Sequence, residues 1–318
     1  MGIAMKKVLI TGGAGFIGSN LAERLLLENR KVVCVDNFLL GSRDNLRNCL
    51  GNVNFTLYEE DVTDTDKLCS IMERHGTEEV FHLAANSDIK RGGENPKIDL
   101  EHTFMTTYSV LEAMRRTGTG KLFFASTSAV YGEKMGLKLK EDMGELLPVS
   151  YYGASKLASE AAISAYTTMN GWTATIFRFA NVVGPKLTHG VIYDFIQKLK
   201  KNPSHLQILG DGRQCKPYIY SGDLLDAVLL ADGNASPGLQ VYNAGVDSAT
   251  SVDRIADMVC ESMHLSGVVY EHTGGDRGWK GDVPSFRFDL DKIHAAGWTA
   301  EHTSDGAVRQ TLRDILGD

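Results

Sequence analysis

The 318-residue chain is poor in cysteine, and its five cysteines (Cys34, Cys49, Cys69, Cys215, Cys260) form no C-x-x-C pair. A disulfide framework and a zinc site are therefore not expected. Scattered and odd in number, these residues suit small core positions, and a reducing, cytoplasmic setting is the expectation. No run of eighteen apolar residues occurs, so no membrane helix is expected. The opening MGIAMKKVLITGG lacks the apolar core and cleavage site of a secretory leader. Positive charge is scarce as well. Lys and Arg number 33 against 40 Asp and Glu, a net charge of -7, and no basic cluster stands out. That disfavours nucleic acid and anionic membrane as partners, while single basic residues remain to hold a phosphate. No repeat, low-complexity tract or Pro- or Ser-rich linker is visible.

What is present is ordinary for a soluble globular protein: 43% apolar and 23% charged residues. The first half alternates short β-branched runs with helical patterns. KKVLIT (6–11), KVVCVD (31–36), VNFTLYE (53–59), EVFHLAA (79–85) and KLFFAST (121–127) read as strands buried on both faces. Helical stretches lie near 16–29, 64–75 and 98–117. In the last, Leu100, Phe104, Tyr108 and Leu111 recur at helical spacing, and Gly118 marks a stop. This alternation predicts an α/β fold, a Rossmann-type doubly wound parallel sheet. After residue 170 the pattern loosens. Helices are expected at 221–232 and 250–263, the second opened by Thr250 and Asp253 as in a capping box. The expected organisation is a Rossmann domain over 1–180, with part of the later chain returning to it. A smaller C-terminal α/β substrate lobe is expected over 181–318.

Gly12, Gly15 and Gly18 stand in G-x-x-G-x-x-G spacing directly after the first strand, where a helix begins. A tight turn of this kind lets backbone approach a pyrophosphate, whose charge then faces the free amides of the helix start. Asp36 ends the second strand, eighteen residues beyond Gly18. A carboxylate there accepts from ribose hydroxyls and repels a 2′-phosphate, which favours NAD over NADP. Asp61, after the third strand, suits both a hydrogen bond to adenine and a helix cap.

Two tyrosines stand side by side in SYYGASK. Tyr152 and Lys156 are spaced i, i+4 and share a helix face, whereas Tyr151 points about 100° away. A phenol has an ordinary pKa of about 10. A lysine one turn away, with the positive nicotinamide, stabilises its anion. Thr127, at the carboxyl end of the fifth strand, is the candidate hydroxyl beside the substrate oxygen.

TGGAGFIG, DN (36–37), HLAA (82–85), STSAVYG, YGASK and FRFANVVGP together resemble the extended short-chain dehydrogenase/reductase family, in its sugar-nucleotide epimerase/dehydratase branch. The likeness spans essentially the whole chain, and GDGRQCKPYIYSGDLLDA and GDRGWKGDV follow it more loosely. It implies that Tyr152 takes a proton from a sugar hydroxyl while the carbon gives hydride to NAD+. It implies too that Lys156 lowers the tyrosine pKa and holds the nicotinamide ribose, and that Thr127 bonds the same sugar oxygen. By the same likeness Phe16, Ile17, Asn37, Val62, Leu83, Ala84 and Ala85 join the glycines, Asp36 and Asp61 around the cofactor. Ser128, Asn181, Val191, Lys216, Tyr218, Arg277, Asp282 and Phe286 face the nucleotide sugar. No metal is implied.

Dehydratases of this branch carry Thr-Asp-Glu before VYG, where this chain has Thr127-Ser128-Ala129. Without those carboxylates elimination has no evident acid and base, so a 4-epimerase is favoured. A bulky Phe286 resembles the enzymes limited to glucose and galactose, which makes a UDP-hexose the expected partner. A sugar-nucleotide dehydratase, a UDP-glucuronate or UDP-GlcNAc 4-epimerase, and a non-enzymatic NAD-sensing regulator stand as alternatives. The resemblance further implies a homodimer built from helices near 98–117 and 150–170. Four departures stand out: Thr103 replaces a usual asparagine, Lys216 a usual arginine, and Cys215 and Pro217 depart from the common phosphate-site pattern. His82 lies in a core strand and reads as a satisfied core histidine.

Overall fold

The computed structural model describes residues 5–317. Five strands, β1 (Lys7–Thr11), β2 (Lys31–Asp36), β3 (Phe55–Glu59), β4 (Glu79–His82) and β5 (Lys121–Thr127), join Thr173–Phe179 and Gly238–Ala244 in a seven-stranded sheet. From one edge the order is Gly238–Ala244, Thr173–Phe179, β5, β4, β1, β2, β3. The pairs β1–β2, β1–β4, β2–β3 and β4–β5 are parallel. The order reverses between β1 and β4, and a doubly wound sheet binds its ligand beyond the strand ends at that point. EVFHLAA contributes only Glu79–His82 to the strand. Residues beyond His82 leave the ladder and wrap over the glycine turn.

The helices of this part of the chain are α1 (Phe16–Leu27), α2 (Thr65–His75), α3 (Ile89–Glu94), α4 (Pro96–Asp99), α5 (Thr106–Thr117) and α6 (Tyr151–Asn170), of which α3 was not expected. The helix expected over 98–117 is not continuous. Leu100–Met105 is π-helical. The Thr103 carbonyl accepts the hydroxyls of both Thr106 and Thr107 at 2.9 Å, which satisfies backbone that the wider turn leaves open. The extra winding rotates the register. Leu100 and Tyr108 of the predicted stripe are 51% and 44% exposed, while Thr103, Thr106 and Thr107 are buried. Gly118 ends α5 in a left-handed conformation, as expected.

The chain forms two compact units. One holds residues up to Val130, Tyr151–Phe177 and Leu229–Tyr242; the other holds Tyr131–Ser150, Arg178–Val228 and the chain from Asn243 onward. In the first unit, Leu9, Val33, Val80, Leu122 and Ile176 of the sheet pack with Leu68 and Met72 of α2 and with Val110 and Leu111 of α5. The opposite face buries Phe81 against Phe123, with ring centroids 5.3 Å apart. At the amino ends of the strands Arg30 reaches Asp232 at 2.9 Å and Glu79 at 3.5 Å, and Lys121 pairs with both acids. Two cations thus answer two buried carboxylates; burial and then Asp232 push Glu79 upward, and against its own burial Asp232 is held down by its hydrogen bond with Glu79 and then by Lys121 and Arg30.

The second unit has its own core of Ile192, Phe195 and Leu199, Leu206 and Ile208, and Ile255, Met258, Val308 and Leu312. The helix Val252–Ser262 is capped by Ser251, whose hydroxyl accepts the Arg254 amide at 3.2 Å. The expected cap at Thr250 fails because Thr250 lies in a two-residue strand paired with Lys216. Its hydroxyl is engaged by Ser304 at 2.6 Å and Asp305 at 2.7 Å.

Phe81→Ala should cost about 3–5 kcal/mol in urea unfolding, because the central strand has no freedom to collapse onto the void.

Candidate functional site

The glycine turn is built for close approach. Gly12 has φ +71°, and a methyl group on it would lie 2.7 Å from the Ala84 amide nitrogen. One on Gly18 would lie 2.2 Å from the Gly12 carbonyl oxygen. Gly15 caps α1 with no side chain, so the amides around Phe16 and Ile17 open the helix without an internal partner. A helix start of that kind attracts a phosphate. The Asp36 carboxylate accepts from the Ala14 amide and the Phe38 amide, each at 2.8 Å. Two of about four acceptor positions on a carboxylate remain for ribose hydroxyls. Burial raises Asp36, and the two amides oppose this. Asn37 donates to Asp61 at 2.9 Å, joining the ends of β2 and β3. Asp61 is no helix cap: α2 is capped by Asp64, and Asp61 turns to Thr63 instead. Val62 is buried, and Leu83 donates its amide to the Thr11 carbonyl at 3.1 Å. Ala84 and Ala85 follow it over the turn. The cradle therefore fits a dinucleotide: open amides for the pyrophosphate and a carboxylate for the ribose.

α6 begins at Tyr151. Tyr151 is 54% exposed, whereas Lys156 is 2% exposed. Tyr152 is half-buried and hydrogen-bonded to Thr127. The Thr127 hydroxyl accepts the Ala129 amide at 3.2 Å, which leaves its proton for the phenol. Burial, and then the charge of Asp99, push the Tyr152 phenol upward, while Thr127 pulls it down. Lys156 Nζ donates to the Ala125 carbonyl at 2.6 Å and lies 5.9 Å from the Tyr152 ring centroid. Burial pulls this lysine down to about 7, with Glu160 opposing. Ser128 opens a short 3-10 turn after β5.

Asp99 was not foreseen. It is 1% exposed, accepts from Asn86 Nδ2 at 2.8 Å through Oδ1, and its Oδ2 has no hydrogen-bond partner. Thr103 accepts the Asn86 amide at 3.1 Å. His82 is fully buried between Thr11 (Nδ1, 2.7 Å) and Thr107 (Nε2, 3.0 Å), and burial lowers it to about 3. It is the neutral core histidine that the strand pattern predicted.

The remaining candidates lie in the second unit. Lys216 Nζ bonds Asp282 Oδ1 at 2.5 Å and lies 5.1 Å from the Trp279 ring centroid. Asp282 Oδ2 accepts the Gly278 amide at 3.1 Å, so both its oxygens are engaged. Arg277 bonds Glu133 at 2.8 Å and the Asp282 carbonyl at 3.1 Å. Glu133 is a partner that spacing alone did not reveal. Tyr218 is 6% exposed, and burial raises its phenol. Asn181 pairs with Tyr218 in a short parallel ladder. Phe286 meets Phe288 with tilted rings, their centroids 5.3 Å apart, and Val191 begins a helix packed on the second core. Tyr131 and Arg178, from the VYG and FRF motifs, form a buried network of this unit. Arg178 donates to the Tyr131 hydroxyl at 2.9 Å, and that hydroxyl donates to Asn243 at 2.7 Å.

Residues 8–245 match the profile of the NAD dependent epimerase/dehydratase family. A UDP-glucose 4-epimerase of Corynebacterium glutamicum is 30% identical over 335 residues, covering 98% of this chain and 94% of that one. The Thermus thermophilus UDP-glucose 4-epimerase, solved with NAD, superimposes with a TM-score of 0.86 at 30% identity over 98% of this chain and 99% of that one. The Bacillus cereus UDP-glucuronic acid 4-epimerase, solved as a tyrosine-to-phenylalanine mutant with NAD and a fluorinated UDP-sugar, gives 0.88 at 25% identity over 98% and 99%. No helix among the described residues is long and apolar enough to cross a membrane.

Gly18→Ala should lower NAD+ affinity at least about tenfold, ~1.4 kcal/mol by calorimetry, because its methyl collides with the turn.

Proposed function

Because the chain belongs to the NAD-dependent epimerase/dehydratase family, we propose that it interconverts UDP-glucose and UDP-galactose by inverting C4. The observation that carries this reading is the Tyr152 phenol bonded to Thr127, on one helix face with a buried Lys156, where Ser128 and Ala129 offer no carboxylate. Bound NAD+ supplies the hydride acceptor, and later the donor, at the sugar carbon. Gly12, Gly15 and Gly18 keep the turn clear for it, and Asp36 holds its ribose. Tyr152 removes the proton of the C4 hydroxyl. Thr127 donates to the same oxygen and keeps it beside the phenol. Lys156 stabilises the tyrosinate, so the phenol acts far below the pH its burial would otherwise demand. After the 4-keto sugar turns over, Tyr152 returns the proton on the opposite course.

Lys216 and Arg277 are the groups proposed for the diphosphate. Each is already paired, with Asp282 and Glu133 respectively. A diphosphate then replaces a carboxylate partner rather than meeting a bare cation. Asn181, Val191 and Tyr218 are proposed to line the nucleotide end, and Ser128 and Phe286 the sugar end. The likeness to the Bacillus cereus enzyme favours UDP-glucuronate as the second substrate. The homodimer implied by the resemblance belongs to the same reading, and light scattering measures it directly.

Protein incubated with UDP-galactose and followed by NMR should yield UDP-glucose. Conversion of UDP-glucuronate alone would select the second substrate, and a dehydrated product by mass spectrometry would select a lyase. No conversion of any nucleotide sugar by NAD-loaded protein overturns the proposal. Tyr152→Phe should lower kcat by about 10²–10⁴-fold with NAD retained. Tyr151→Phe, altering an exposed ring, should change KM only; equal losses would place the base elsewhere.

A further inference from the structure

Lys156 is a cation almost without solvent. Its Nζ lies 4.6 Å from the Phe124 ring centroid, and its hydrogen bond goes to the neutral Ala125 carbonyl. A buried ammonium with no counter-charge sheds its proton. The compensating charge stands one helical turn further along α6. Glu160 is 6% exposed, and its Oε1 accepts from the Ser126 hydroxyl at 2.5 Å. The spacing is reciprocal. Ala125 and Ser126 are neighbours on β5; Lys156 and Glu160 are i, i+4 neighbours on α6. The strand holds the cation by a carbonyl and the anion by a hydroxyl.

Few other charges face this place. On α6 itself there is Tyr152. At its carboxyl end β5 presents the Phe124 ring and the Ser126 and Thr127 hydroxyls. β4 presents the buried, neutral His82. Asp99, ending α4, acts on Tyr152. Lys90, Arg91 and Glu94 of α3 and Glu101 and His102 of the π-turn are at least partly exposed. On α5, Glu112 is engaged by Arg115 and Tyr166. Glu160 is the carboxylate that acts on the lysine.

We propose that Glu160 is a positioning residue for Lys156: clamped to β5 by Ser126, it is the fixed counter-charge that keeps the buried amine charged and seated on the strand end. This rests on Lys156 assisting Tyr152 in the proposed reaction. Loss of the carboxylate lets Lys156 titrate at lower pH. An amine is charged below its pKa, so the charged fraction disappears first at high pH and survives at low pH. Glu160→Gln should therefore fall in kcat/KM at pH 8 by up to about tenfold for each unit the lysine drops. The ratio of variant to parent should climb toward one as pH is lowered to 6. A merely structural loss gives a ratio that does not vary with pH.

The second readout needs no turnover. The Lys156 midpoint is followed by ¹³C NMR of lysine-labelled, NAD-loaded protein, with Lys156→Met giving the assignment. A lower midpoint in Glu160→Gln supports the proposal; an unmoved midpoint or a flat ratio overturns it. Should Glu160→Gln fail to fold, Ser126→Ala keeps the carboxylate but removes its bond to β5. A lowered midpoint there supports the clamp, and an unchanged one overturns it. A parent protein that converts no nucleotide sugar removes the ratio and the proposed function together, while the NMR titration still decides the role of Glu160.

Discussion

Everything around the Tyr152 phenol hangs on a lysine ammonium seated on a strand carbonyl, Lys156 Nζ to Ala125 O at 2.6 Å with 2% exposure. Desolvation works against the charge, and the local architecture offsets it. The carbonyl belongs to the carboxyl end of β5, the strand that also presents Thr127. One short contact therefore sets the register between α6 and β5, and with it the distance between phenol and threonine. The sheet supplies rigidity. β5 is flanked by β4 and Thr173–Phe179 in the interior of a seven-stranded layer, and its end has little room to drift.

The charges of the second unit are arranged by a different logic. Lys216 and Arg277 are each matched with an acid, and Asp282 is shared between Lys216 and the Gly278 amide. Pre-paired cations hold their geometry without a ligand, and for the largely buried Lys216 the pairing also offsets the cost of desolvation. In the proposed reading an incoming diphosphate would bind them by exchange, so its affinity would be a difference between two ion pairs. The substitution of Lys216 for a usual arginine fits this arrangement: one point charge is sufficient for one carboxylate oxygen.

Much of this was legible in the residues themselves. Near-continuous apolar runs located all five leading strands. The glycine spacing located the turn, and i, i+4 spacing separated Tyr152 from Tyr151. Pattern reading failed where side-chain hydroxyls replace apolar contact. Thr103, Thr106 and Thr107 are buried although polar, because the hydroxyls of Thr106 and Thr107 bond the Thr103 carbonyl and the Thr103 hydroxyl accepts the Asn86 amide, and Leu100 and Tyr108 are turned outward although apolar. The cap at Ser251 was mistaken for Thr250 because a two-residue strand leaves no periodicity to detect. Asp99 and Glu133 were invisible for another reason: their partners, Asn86 and Arg277, are brought to them by the fold and not by spacing. Glu160 was in plain view in YGASKLASE, but its meaning required Ser126 beside it.

The buried His82 has a consequence for direction. The Thr107 hydroxyl donates its single proton to the Thr103 carbonyl at 2.9 Å, so toward the imidazole it only accepts. That arrangement puts the ring proton on Nε2 and has Nδ1 accept from the Thr11 hydroxyl. The tautomer is thus dictated by the wide turn of a helix, and the chain from Thr11 through His82 to Thr107 runs one way. Reversing it would strip the Thr103 carbonyl of one of its two hydroxyl partners. The imidazole acts as a polarised rivet joining β1, β4 and the start of α5.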